Sequence, residues 1–151
     1  MKTKSLITAI ALLYCSLSAF AGNSIDDLSK SIAQIPHAEH LNVNSLTLGL
    51  IKPFASELKG VNNVEILNAE NISNKDYTRL QTLIAQCNTS EYETLVSTND
   101  NDEIARILMK TEKEKIREMV IISLEKDEIS LIRIKGKIDP KQMEELVKDK
   151  K

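Results

Sequence analysis

The sequence predicts a two-layer α+β fold, in which helices pack mainly on one face of a mostly antiparallel sheet of five or six strands. Two β-branched apolar runs within Ile116–Ile138 flank four charged residues, a pattern typical of a β-hairpin. Two further runs with strand propensity come just before this hairpin, so together they predict a four-stranded meander. Amphipathic segments of helical spacing precede the meander, and they need a sheet face on which to bury their apolar sides.

The predicted hairpin carries apolar residues on both of its faces. Val120 and Ile122 share one face of the first strand, and Met119 and Ile121 share the other. This distribution predicts a strand in the middle of the sheet, with both sides at least partly covered. We expect four residues to be among the most deeply buried: Ile121, Ile122, Leu131 and Ile132.

Residues 1–21 predict a secretory signal peptide. Lys2 and Lys4 form a basic start, Leu6–Tyr14 is apolar, and 19–21 has the small–x–small pattern of a cleavage site. The apolar stretch is much shorter than the roughly 20 residues of a membrane-spanning helix. We therefore expect export to the periplasm or cell envelope as a single domain formed by the rest of the chain.

Cys15 raises the alternative of a lipid anchor. A bacterial lipoprotein signal places a small residue before the lipidated cysteine, and here the bulky Tyr14 stands there. The sequence therefore favours a signal peptide without lipidation.

The charge and cysteine count of 22–151 narrow the possible functions. Removal of two lysines with the signal peptide changes the formal net charge from −2 to −4, so the domain lacks the basic excess of a nucleic-acid binder. Cys87 is the one cysteine left, so no internal disulfide can form and stability must come from the core.

The first predicted helix begins after Ser24, a suitable N-cap with Asp27 at the third helical position, and ends before Pro36. Its apolar side consists of Ile25, Leu28, Ile32 and Ile35. Alternation of apolar and polar residues then predicts a short strand over Val43–Leu48. Helical spacing predicts a second helix over Leu50–Leu58, with Pro53 in its first turn and Gly60 after its end.

The middle of the chain predicts a strand and a longer helix. Val61–Asn68 has the strand pattern, and Ser73–Asp76 combines capping residues with an early acid at the start of a helix. The apolar side of that helix is formed by Tyr77, Leu80, Leu83, Ile84 and Cys87.

The meander begins after this helix. Glu91–Thr98 is ambiguous between helix and strand, and its β-branched residues favour a strand. Asn99–Asp102 predicts a turn before a strand at Glu103–Met109, and Thr111–Lys115 predicts the next turn. Gly136 allows a bend or bulge in the last strand. Asp139-Pro140 then predicts the start of a final helix that carries Met143, Leu146 and Val147.

Three segments carry a resemblance to a known family. They are Val64–Leu67, Tyr92–Val96 and Glu118–Asp139, which fits best and whose ending at Gly136–Asp139 is the most specific part. Together with the signal peptide, they resemble the "domain of unknown function 4252" family of exported proteins and lipoproteins of Bacteroidetes. The resemblance implies export to the bacterial cell envelope. It implies no activity and no catalytic or binding residues.

His37, Glu39 and His40 are the first candidates for chemistry, because two imidazoles and a carboxylate could bind zinc. The spacing is not that of a zinc helix, and only Cys87 could complete the ligand set, so we favour a solvated loop. Asn99–Glu103 clusters oxygen ligands, but it lacks the glycine and distal glutamate of a calcium loop, so a polar turn is favoured.

The remaining candidates also favour structural roles. Cys87 lies on an apolar helix side, which predicts a buried, unreactive thiol. The acid pairs Glu144–Glu145 and Asp127–Glu128 lie in predicted surface contexts without the burial that acid–base catalysis needs. Lys110–Arg117 interleaves lysines with acids, which favours a solvated turn over contact with anionic lipid headgroups. We assign no catalytic, cofactor-binding or metal-binding residue.

The sequence therefore predicts an exported, non-catalytic domain that binds an envelope protein or peptide, with an exposed edge strand as a natural docking place. Two alternatives stay open. One is a small-ligand carrier with a pocket between sheet and helices, and the other is a metal-dependent enzyme that uses His37 and His40.

Overall fold

A computed structural model describes residues 23–51 and 59–142. The predicted signal peptide, most of the helix predicted over Leu50–Leu58, and the apolar side predicted for the final helix lie outside the described residues. Of that final helix, the structure describes the beginning at 140–142, where the side chain of Asp139 accepts a hydrogen bond from the backbone N–H of Lys141.

All six strands of the structure belong to one antiparallel sheet, which confirms the predicted α+β fold. The elements are, in chain order, α1 Ile25–Ala33, β1 Glu39–Val43, α2 Ser45–Ile51, β2 Val61–Glu70, α3 Asn74–Gln86, β3 Glu93–Asp100, β4 Glu103–Glu112, β5 Lys115–Leu124 and β6 Glu128–Ile138. Across the sheet the strands follow the order β1-β2-β6-β5-β4-β3. The central hairpin β5–β6 therefore lies in the middle of the sheet, and β1 and β3 form its edges.

Capping residues fix the starts of the two longer helices, as predicted. Ser24 Oγ accepts a hydrogen bond from Asp27 N–H, and Asp27 Oδ2 accepts one from Ser24 N–H, which completes a capping box. Ser73 Oγ accepts in the same way from Asp76 N–H at the start of α3. These bonds satisfy backbone donors that a helix leaves without an internal partner.

The prediction of a strand over Val43–Leu48 is wrong. The strand ends at Val43, and α2 begins at Ser45. The physical reason is Asn44, whose Oδ1 accepts hydrogen bonds from the N–H groups of Leu46 and Thr47 and so caps a helix. Over so few residues the alternation of apolar and polar side chains could not distinguish the two structures.

Gly136 on β6 lies against the backbone of Gly60, the residue just before β2. A Cβ atom at Gly136 would collide with the carbonyl oxygen of Gly60, which itself has a φ of 84°. The same oxygen accepts a hydrogen bond of 2.8 Å from Lys137 N–H. The pairing of β5 with β6 shifts register between Ile116 and Glu118, which confirms the irregularity predicted at this glycine.

Helices α1 and α3 cover one face of the sheet, which we call the helix face. Its strand residues are close to fully buried: Leu67, Ala69, Ile104, Leu108, Val120, Ile122, Leu124, Ile129 and Leu131. On the other face, which we call the second face, α2 packs through Leu48 against a smaller cluster with Val61, Ile116 and Ile138. The distribution of helices agrees with the predicted packing mainly on one side.

Of the four residues predicted to be most deeply buried in the central hairpin, two are fully buried and two are not. Ile122 and Leu131 are 1% and 0% exposed, as predicted, but Ile121 and Ile132 are only half-buried. Successive side chains of a strand point to opposite faces, so Ile121 and Ile132 lie on the second face, away from α1 and α3.

Within 23–51 and 59–142, none of the helices has the length and apolar character that crossing a bilayer requires.

The two faces predict different responses to the same substitution. Ile122→Asp places an unpaired carboxylate in the core of the helix face, so we expect a loss of several kcal/mol of unfolding free energy. Ile121→Asp places it on the second face within reach of water, so we expect a clearly smaller loss. Urea unfolding followed by circular dichroism measures both variants, and equal losses would contradict the assignment of the two faces.

Candidate functional site

The most concentrated set of charges lies at one end of the helix face. The side chain of Arg133 on β6 is 7% exposed and contacts three carboxylates. Its nitrogens lie 2.6 Å from Asp26 Oδ1, 2.8 Å from Glu118 Oε1 and 3.6 Å from Glu65 Oε2. We call Arg133, Asp26, Glu65 and Glu118 the Arg133 cluster.

The strand register and the first turn of α1 together place the four residues of the Arg133 cluster next to one another. Glu65, Arg133 and Val120 are neighbours across β2, β6 and β5, so their side chains share the helix face. Glu118 lies two residues before Val120 and therefore on the same face. Asp26 belongs to the first turn of α1, where a helix favours acids, and it reaches the guanidinium from above the sheet.

The cluster continues on both sides. On β1, His40 Nε2 lies 3.0 Å from Glu65 Oε1. On the other side, the hydroxyl of Tyr92 donates a hydrogen bond of 3.0 Å to Glu118 Oε2, and Lys110 Nζ lies 2.9 Å from Glu91 Oε2. Each acid of the cluster thus has a donor or a positive charge beside it.

Electrostatics keep Asp26, Arg133 and Tyr92 in their ordinary charge states. The hydrogen bond from Arg133 holds the pKa of Asp26 below its usual value. Burial opposes the charge on Arg133, but hydrogen bonds to Asp26 and Glu118 outweigh it and raise its pKa. Burial, together with the nearby charge of Glu118, raises the pKa of Tyr92, so its hydroxyl stays protonated. These shifts of Asp26 and Arg133 both favour the charged ion pair, so its arrangement fits a structural link between α1 and the sheet.

Sequence reasoning did not single out Arg133, Glu65 or Glu118. A signal was present, because Arg133 alternates with Ile129 and Leu131 on the same side of its strand, and Glu118 with Val120 and Ile122. Charged residues in register with the most buried positions of a central strand indicate paired charges inside the fold.

The structure does not bring His37, His40 and Cys87 together. His37 lies in the loop between α1 and β1 with a φ of 63°, and His40 lies on the edge strand β1. Cys87 follows α3 over β4, where Arg106 donates a hydrogen bond to the carbonyl of Ile84. The strands β1 and β4 are four spacings apart, about 19 Å. Among the described residues, no three or more His, Cys, Asp or Glu side chains converge in a way that could hold a metal ion.

Cys87 has the surroundings of a structural thiol. It packs against the core of the helix face, and this burial raises the pKa of its thiol. A nucleophilic cysteine needs the opposite shift, because the thiolate is the reactive form.

Within Asn99–Glu103, only Asn101 and Asp102 form the tight turn between β3 and β4, and the residues on either side belong to the two strands. Asn101 and Asp102 adopt φ values of 40° and 72°, which the two-residue turns of hairpins require. The carbonyl oxygen of Asp102 accepts a hydrogen bond from the hydroxyl of Tyr77 on α3. This geometry is that of the polar turn the sequence favoured over a calcium loop.

Several grooves that are open to solvent border the described part of the chain, and two of them are lined by the candidate residues discussed above. One, of about 360 Å³, is lined by residues that include His37, Glu39, Glu70 and Asp76. The other, of about 490 Å³, lies over Tyr92, Lys110 and the outer side of Arg133. The charged linings of these two grooves differ from the enclosed, mostly apolar pocket of a typical small-ligand carrier. A third groove, of about 610 Å³ beside Thr78 and Leu83 on α3, is also open to solvent rather than enclosed.

The strand β3 is the most exposed element of the sheet. All eight of its residues are exposed, and within the described part of the chain only β4 pairs with it. The register shifts between Thr94 and Val96, and regular pairing follows from Val96 to Asp100. The outer edge of β3 thus presents backbone N–H and C=O groups to which another strand can bind.

Comparison with known proteins gives one match. A family model described as "Domain of unknown function (DUF4252)" matches residues 32–146, from the end of α1 to beyond β6. Comparison with curated proteins and with solved structures gives no match.

Replacement of Arg133 tests the role of the cluster. Arg133→Met leaves Glu65 and Glu118 without their cation in a mostly buried position, so we expect a loss of roughly 3–5 kcal/mol of unfolding free energy. Lys137→Met, on the same strand but exposed, serves as the control and should change stability by less than about 0.5 kcal/mol. Equal effects of the two substitutions in urea unfolding would disprove the structural role.

The pair of Asp26 with Arg133 predicts a pH dependence. Because the pKa of Asp26 is lower in the folded than in the unfolded chain, its stabilising effect is present above its ordinary value of 3.8 and is lost as the pH falls through the folded value. The difference in melting temperature between the wild type and Asp26→Asn should therefore shrink from about pH 5 to about pH 2. A constant difference over that range would contradict the ion pair.

Proposed function

The chain belongs to the family described as "Domain of unknown function (DUF4252)", and on that premise we propose that it is an exported, non-catalytic domain of the cell envelope that binds an extended segment of a partner protein along β3. The observation that carries the proposal is the exposed edge of β3, whose eight residues all lie at the surface. In strand addition, backbone hydrogen bonds supply affinity, and alternate side chains supply specificity.

The sequence of β3 suits a docking edge. It contains threonine, valine and leucine, which favour strands, and it lacks the lysine and proline that commonly protect an edge from pairing. Leu95 and Val96 are exposed apolar side chains near its middle. An added strand would cover them and gain hydrophobic stabilisation beyond the backbone hydrogen bonds.

The acids at the two ends of β3 indicate which partner strand would bind there. Glu93 and Asp100 stand at the two ends of β3, and Glu91 and Asp102 lie just beyond them. A partner strand with apolar residues in its centre and lysine or arginine near its ends would complement this edge. A second β3 would place acids near acids, so the charges favour an unlike partner.

The chemistry of the described residues supports binding without catalysis. The charged groups of the Arg133 cluster are paired with one another, and Cys87 is held as a thiol. The two histidines and Cys87 lie on separate elements, which leaves the metal-dependent alternative without a common site. Export rests on the basic, apolar and small-residue pattern of 1–21.

Photocrosslinking in living cells tests the docking edge. A photoreactive amino acid at position 95 on β3 should form a discrete adduct with a partner protein, whereas one at position 82 on the exposed side of α3 should not. Leu95→Lys adds a cation to the edge and should reduce the recovered partner at least about tenfold. Thr82→Lys is the matched control and should leave recovery unchanged.

The same purified protein reports on export, because its mass gives the N-terminal residue. A chain that begins at Gly22 supports cleavage after Ala21. Absence of an adduct at position 95, or the same adduct at position 82, would overturn the docking proposal.

A further inference from the structure

The second face carries an unbroken line of apolar side chains across the whole sheet. The strand register places six residues side by side, one from each strand, and we call them the apolar row: Leu41, Ile66, Ile132, Ile121, Ile107 and Val96. From this row we propose that the second face is an interface between two copies of this chain.

The apolar row is less covered than its counterpart on the helix face. Leu41 and Val96 at its ends are 55% and 38% exposed, and the four isoleucines between them are half-buried. Beside them on the same strands, Ile122 and Leu131 on the helix face are almost completely buried. The second face therefore retains apolar surface that association would remove from water.

Charged residues are excluded from the middle of this face. The next row along the strands consists of Val43, Val64, Ile134, Met119, Met109 and Glu93, and the row on the other side consists of Glu39, Asn68, Ser130, Ser123, Ala105 and Thr98. In all three rows the charges are Glu39 and Glu93, each on an edge strand. An apolar centre depleted in charge with a polar rim is the usual anatomy of an interface between subunits.

The size of the face fits a weak dimer. Val43, Val64, Ile134 and Met109, which form most of one outer row, already pack against the cluster around Leu48 of α2, so two rows stay open. Across six strands these two rows span roughly 29 Å by 13 Å, about 380 Å² before the relief of the side chains is counted. Leu46 and Leu50 of α2 are exposed and add apolar surface at one end. The total is below the roughly 800 Å² per subunit that a standard interface buries, which agrees with a dimer that dissociates in the micromolar range.

The row is also suited to pairing with itself. The middle of the row lies between β6 and β5, where Ile132 and Ile121 stand side by side. Three strands lie on either side of this midpoint. In a dimer with two-fold symmetry the same patch meets itself. A two-fold axis in the plane of the interface through this midpoint brings the partner's Ile121 and the partner's Ile132 onto the central pair. Two sheets stacked in this way lie about 10 Å apart, as in a β-sandwich.

This contact uses a face of the sheet, whereas the proposed partner strand uses the outer edge of β3. Val96 belongs to both surfaces, but the dimer is tested on the purified chain without a partner strand, so failure of one proposal leaves the other standing.

Sedimentation equilibrium of the full chain, purified in the form that cells accumulate, tests the dimer. We expect a monomer–dimer equilibrium between about 1 μM and about 100 μM. Ile121→Lys places two charges in the centre of the symmetric contact and should raise the dimer dissociation constant at least about 100-fold. Circular dichroism and thermal melting establish that this variant is folded.

Two variants on the edge strand keep the test decisive if Ile121→Lys fails to fold. Val96→Lys lies at the exposed end of the apolar row and should raise the dissociation constant about tenfold. Ser97→Lys, the next residue, points to the helix face and should leave the dissociation constant unchanged.

Three results would overturn the proposal. The first is a wild-type chain that stays monomeric over the whole concentration range. The second is a dimer that none of the lysine variants on the apolar row weakens. The third is a monomer that floats with vesicles of phosphatidylethanolamine and phosphatidylglycerol, and loses this binding with Val96→Lys, because a bilayer would then be what covers the second face.

Discussion

Opposite orientation of successive side chains in the hairpin β5–β6 is the constraint on which the rest of the structure depends. Ile122 and Leu131 point to the helix face and form the centre of the core below α1 and α3. Their neighbours Ile121 and Ile132 must then point to the second face, which these helices do not cover. A chain that builds a strong central hairpin from β-branched residues thus creates apolar surface on both sides of the sheet. The chain itself fills one side and, through α2, one end of the other. We propose that association fills the rest of that second face.

The Arg133 cluster fixes how α1 sits on the sheet. Burial of a guanidinium costs free energy, and its bonds to Glu118 and Asp26 offset that cost. The apolar side of α1 could slide along a smooth hydrophobic surface, whereas the bond between Asp26 and Arg133 has one geometry. We infer that the cluster specifies the position of the helix more than it increases stability.

Local signals in the sequence predicted most of the fold. The caps at Ser24 and Ser73 and the hairpin within Ile116–Ile138 depend on residues close together in the chain, and the structure confirms them. The start of α2 was missed because one side chain, Asn44, decides it against a short alternating pattern. The Arg133 cluster was missed because Asp26 and Arg133 are 107 residues apart, and only the register of the strands shows that they meet. The half-burial of Ile121 and Ile132 depends on which face the helices choose, which apolar composition alone does not determine.

Covalent footprinting with a photogenerated carbene tests the central claim most directly, because a carbene labels any accessible side chain. In dilute protein, Ile121 and Ile132 should be labelled strongly, whereas Ile122 and Leu131 should stay unlabelled at every concentration. As the protein concentration rises through the dimer dissociation constant, labelling of Ile121 and Ile132 should fall to the level of the core. Equal and low labelling of all four residues in dilute protein would contradict the account, because both faces would then be filled without a second copy.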